Sequence, residues 1–129
     1  MKTETEIKTG LAHFYGTAGY HFNKLFGKNF VYTDGIKFLL EAAECYWLLD
    51  AIFSYRRIED FQIWKLEVFS DKTAVLSMKE DTNCPLLVEQ KIHYTTFPLG
   101  EIEVWAINDH CREDGTTGNR VVLMLKTEY

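Results

Sequence analysis

The sequence predicts an α+β fold, with N-terminal helices packed on one face of an antiparallel sheet of about five strands. Three observations carry this expectation. Apolar residues recur every three or four positions up to residue 57, they alternate with polar ones after Asp60, and no link between the later segments is long enough for a parallel crossover. The 129 residues are 47% apolar and 26% charged, which fits one domain over 1–129 that builds its own core.

The elements follow in chain order. Ile7, Leu11 and Phe14 share one face of a short helix within 5–15, and Gly16-Thr17-Ala18-Gly19 ends it. Tyr20 and Phe22 alternate with His21 and Asn23, so a hairpin-like segment runs to Tyr32. Thr33-Asp34-Gly35 opens the central helix, because the hydroxyl or the carboxylate accepts from the unpaired N–H groups of its first turn. Ile36, Leu39, Leu40, Ala43, Trp47 and Ala51 continue it as a stripe toward Arg57. From Cys45 to Phe53 the opposite face turns apolar too, so this half is either buried on most sides or sharply bent near Glu44. Arg56-Arg57 complement the negative end of the dipole.

Beyond Asp60 the spacing changes to two. Strands are expected around Trp64–Val68, Ala74–Met78, Leu86–Tyr94, Ile102–Ile107 and Val121–Leu125. Asp81-Thr82-Asn83-Cys84-Pro85 links the second and third, and a polar loop covers 109–119.

Composition excludes several functions. Fourteen basic against nineteen acidic residues leave a net charge of −5, which disfavours direct nucleic-acid binding. Glu41, Glu44 and Asp50 interrupt the longest apolar stretch, and the first residues carry no signal-peptide pattern, so a soluble, cytoplasmic protein with no membrane role is expected. Cys45, Cys84 and Cys111 fit neither a disulfide framework nor a zinc knuckle, and His93, His110, Cys84 and Cys111 lack metal-ligand pairing. No metal and no cofactor is expected. Ser54, Ser70 and Ser77 stand outside any nucleophile elbow, so no catalytic residue is assigned.

Asp50 is the most informative ionisable residue, since Cys45 to Leu49 precede it and Ala51 to Phe53 follow it. A buried carboxylate must be paired, hydrogen-bonded or protonated. It is read as an internal tie, with Tyr46 and Ser54 as donors one turn either side. A polar anchor in an aromatic pocket with Tyr46, Trp47 and Trp64 is the second reading, and an exposed helix position the third.

Tyr32-Thr33-Asp34-Gly35, Tyr46-Trp47-Leu48-Leu49-Asp50-Ala51-Ile52, Phe61-Gln62-Ile63-Trp64, Tyr94-Thr95-Thr96-Phe97-Pro98-Leu99 and Thr127-Glu128-Tyr129 occur in an order that resembles a family of small bacterial proteins of unknown function. The resemblance runs from Leu11 onward and implies an association with mobile elements. It also implies an acidic residue where this chain has Thr96. The best site the signatures offer is an aromatic and acidic cluster drawn from Tyr32, Asp34, Trp47, Asp50, Trp64 and Tyr94. The preferred function is a non-catalytic binding or protein-interaction module, acting on a protein partner through an acidic surface and exposed rings, or as a homodimer joined at a strand edge. The alternative is a small-molecule binder or enzyme using a pocket around Asp50, with Asp50 or His93 as base. A ring-lined pocket reached by either residue favours the alternative, and a sealed core with a flat apolar patch favours the module.

Overall fold

The computed structural model describes residues 1–16, 19–22, 29–55, 61–111 and 117–128, the side chains of 109–111 and 117–119 excepted. Helix α1 (Glu4–Leu11) begins at a reciprocal cap, in which Glu6 N donates to Thr3 Oγ1 and Thr3 N donates to Glu6 Oε1. Its one buried side chain is Ile7. Strands β1 (Tyr20–Phe22) and β2 (Phe30–Thr33) pair antiparallel and lead into α2 (Asp34–Ala42).

The expected long helix is two. Helix α3 (Tyr46–Ser54) restarts after a break at which Glu44 adopts a positive φ of 51°. The bend expected near Glu44 is therefore the half of that expectation that holds. Arg56 and Arg57 lie outside the described residues.

Strands β3 (Phe61–Val68), β4 (Ala74–Lys79), β5 (Val88–Ile92), β6 (Glu101–Cys111) and β7 (Thr117–Leu125) follow, then a 3₁₀ turn at Lys126–Glu128. The sheet differs from expectation in size and direction. It has seven strands in the order β1-β2-β7-β6-β3-β4-β5, and β2 pairs parallel to β7, so it is mixed. A parallel pair needs a long connection, and here everything between residues 33 and 117 supplies it. The expected polar loop at 109–119 is shorter than expected, because β6 and β7 keep pairing to Cys111 and Thr117 with an irregularity at Asp109/Cys111.

All three helices contribute to one core on one face of the sheet. Ile7, Ile36, Leu39, Leu40, Leu49 and Phe53 meet Trp64, Leu66, Leu76, Met78, Val104 and Leu123 there. No described helix is long and apolar enough to cross a membrane.

Candidate functional site

The β2–α2 junction ties the two ends of the chain together. Thr33 caps α2 by accepting from Ile36 N at 3.4 Å, and its hydroxyl donates to Glu128 Oε1 at 2.6 Å. The same carboxylate accepts from Gly35 N (3.2 Å) and Leu125 N (3.1 Å), placing negative charge at the positive end of α2. A Cβ on Gly35 would overlap this carboxylate and come within 2.6 Å of Leu125 Cδ1, so any larger residue must displace both side chains. Thr127 Oγ1 holds the chain after α1 by donating to Phe14 O at 2.6 Å. On the other side, His21 Nε2 lies 2.8 Å from Asp34 Oδ1, and the His21 and Tyr32 rings are 5.6 Å apart. Burial, then the Glu41 carboxylate, pushes the Tyr32 phenol up.

Of the six expected site residues, Tyr32 and Asp34 share this junction. Trp64 is sealed in the core on β3, its indole N–H donating to Gln62 Oε1 at 2.9 Å, and Trp47 is half-buried against that core. Tyr94, 69% exposed, follows β5 at the sheet edge opposite β1. Asp50 corrects the sequence reading, because it is exposed rather than an internal tie. In α3, Leu48, Leu49, Ile52 and Phe53 form the buried stripe, while Tyr46, Asp50 and Ser54, four apart, take the opposite face. The apolar neighbours of Asp50 in sequence thus point away from it. Ser54 Oγ donates to Ala51 O instead, at 2.7 Å.

Two surface hollows of about 420 and 320 Å³ are lined around Phe38 and Glu41 and around Leu11 and Ile102; neither is lined by Asp50 or His93. Burial pushes the Cys45 thiol up to about 12, so it stays protonated near neutrality and is a poor nucleophile. Cys84 is an exposed thiol.

The second face of the sheet carries the feature that sequence reading missed. Cross-strand pairing sets Phe22, Val31, Val122, Ile107 and Phe61 side by side in one row over five strands. A parallel row holds Met124, Trp105 and Ile63, and Tyr20 extends it on β1 beyond the polar Thr33 of β2. Val31, Val122 and Ile63 are buried without joining the helix-side core, and Tyr20 and Phe22 are 38% and 47% exposed. Phe61 and Trp105 meet edge to face at 4.9 Å, and the Arg120 guanidinium lies 4.7 Å over the Tyr20 ring. Two charged rows adjoin this apolar half: Glu103, Lys65 and Glu89, then Glu101, Glu67 and Lys91. Lys65 Nζ lies 3.5 Å from both Glu67 and Glu101, and these carboxylates hold its ammonium above the ordinary lysine range. The missed signal is present in the sequence: Phe30-Val31-Tyr32, Val104-Trp105-Ala106-Ile107 and Val121 to Leu125 are unbroken apolar runs, the pattern of strands apolar on both faces.

Residues 5–129 match the sequence profile of the family of unknown function DUF6876. The chain belongs to that family. Comparison with curated proteins and with solved structures finds no match. In this DUF6876 member, Tyr32-Thr33-Asp34-Gly35 and Thr127-Glu128 meet through the Glu128 carboxylate.

Proposed function

We propose that this protein is a non-catalytic protein-interaction module that docks through the helix-free face of its sheet. The observation that carries the reading is the five-strand apolar row Phe22–Val31–Val122–Ile107–Phe61, which carries two rings and is covered by no described helix. A contiguous apolar patch with a polar border on a soluble domain marks a site for another molecule. Aromatic side chains suit it, because they exclude water over a large area at low cost in side-chain entropy. The junction of Tyr32 and Asp34 supports the patch by fixing β1, which carries Tyr20 and Phe22. A reaction centre around Asp50 has no such support, since that carboxylate is exposed and lines neither hollow.

The reading is tested by affinity capture from a host lysate. Wild type, Ile107→Lys and Asp50→Asn serve as bait. Foreign species held by wild type and Asp50→Asn are expected to be absent with Ile107→Lys. The same set with all three baits, or nothing held by wild type, overturns the reading.

A further inference from the structure

We infer that β5 is a self-association edge, at which a second copy of the chain pairs antiparallel about a two-fold axis through Gln90. This edge is separate from the docking face and rests on different observations. β5 ends the sheet on the side opposite β1, and no described segment pairs with its outer side. Its five residues present backbone donors and acceptors that another strand can complete, whereas the other edge, β1, has only three.

The phase of the ladder fixes which backbone groups face outward. Phe69 N donates to Thr73 O at 2.8 Å beside the register pair Val68 and Ala74, so Thr73, Val75 and Ser77 bond to β3. Ala74, Leu76 and Met78 are left to bond Ile92, Gln90 and Val88, and the N–H and C=O groups of Glu89 and Lys91 point away from the sheet. Charge then selects the register. An axis at Glu89 sets that carboxylate on its own copy, and an axis at Lys91 does the same with the ammonium, both unfavourable. An axis at Gln90 opposes Glu89 of each copy to Lys91 of the other, twice per dimer, as an isologous contact requires. Both side chains are exposed, and neither has an ion partner among the described residues.

The helix side of the strand agrees with the same axis. Val88, buried, and Ile92, partly buried, stand two residues either side of Gln90, so each copy sets Val88 against Ile92 of the other and carries the apolar core surface across the junction. Tyr55 Oη donates to Gln90 Oε1 at 2.8 Å, which steadies the carboxamide on the axis. Leu86 and Tyr94, 51% and 69% exposed, stand four residues before and after Gln90. The axis brings Leu86 of each copy to the end where Tyr94 of the other lies, giving two exposed apolar side chains a partner.

Sedimentation equilibrium over a concentration series decides the matter. Wild type is expected to be a dimer, and Ile107→Lys to remain one, because its change lies on the separate docking face. Glu89→Lys and Lys91→Glu are each expected to weaken association about tenfold, and the double variant Glu89→Lys/Lys91→Glu to regain it. An equimolar mixture of the two single variants is expected to associate more tightly than either alone, since every pair across the axis is then unlike, a result no folding defect produces. A monomeric wild type, a dimer indifferent to both charge reversals, or a double variant no tighter than its parents overturns the proposal. A dimer lost in Ile107→Lys but kept in Glu89→Lys also overturns it, by moving the second copy to the docking face.

Discussion

Glu128 does more for this fold than its place three residues into a terminal turn suggests. One carboxylate satisfies the Thr33 hydroxyl and the N–H groups of Gly35 and Leu125, so removing it strands donors at the start of α2 and the end of β7 together. Leaving part-buried donors without a partner costs about 1–3 kcal/mol. Glu128→Ala is expected to lower stability by that amount. Gly35→Ala is expected to do the same by a different route, since its new methyl displaces the carboxylate and presses on Leu125. Because both changes break one anchor, the double variant should lose clearly less than the sum of the singles in urea unfolding. Additive losses would show that the tie is not shared.

The break between α2 and α3 sets which side chains reach the core. Glu44 takes the left-handed conformation there, and its carboxylate pairs with the Met1 ammonium at 3.3 Å in a mostly exposed contact of little worth. A non-glycine residue in that region is strained, and glycine relieves the strain while making the unfolded chain more flexible. Glu44→Gly is therefore expected to be neutral or stabilising by up to about 1 kcal/mol, whereas Glu41→Gly inside α2 should cost about 1 kcal/mol. Thermal melts of the two variants test this, and equal losses would contradict it. Elements of this kind were legible where the signal is local. Alternation located the later strands, and the double-sided apolarity after Cys45 pointed to a bend. Asp50 was misjudged because a run of apolar neighbours looks like burial until the helix phase is known, and a break at Glu44 resets that phase. The extra length of β6 and β7 was hidden because backbone ladders continue through polar residues.

Across the whole molecule, the decisive contact is the one that no local pattern announces. β2, near residue 31, lies parallel to β7, near residue 122, and thereby seats β1 and β2 on the far side of the closing strand. Local periodicity carries no information about a partner so distant in sequence, so the five later strands were read as the complete sheet. The cluster expected from Tyr32, Asp34, Trp47, Asp50, Trp64 and Tyr94 was only partly legible for the same reason. Its members fall on a junction, a core, a helix face and an opposite edge according to the strand order. One consequence is cooperativity. Among the described residues, the first third of the chain packs into the core it shares with β3 to β7, so α2, β2 and the later strands should unfold together. Leu123, 2% exposed, lies on β7 between β2 and β6, with Tyr32 and Ala106 as its register partners. Leu123→Ala is expected to cost about 2–5 kcal/mol. The far-UV dichroism and tryptophan emission of the variant should still fall along one transition, because emission reports Trp47, Trp64 and Trp105 on α3, β3 and β6 while the dichroism reports every element. A helical signal lost at lower denaturant than the tryptophan signal would show that the N-terminal elements are a separable unit, and that β7 does not bind the two ends of the chain into one.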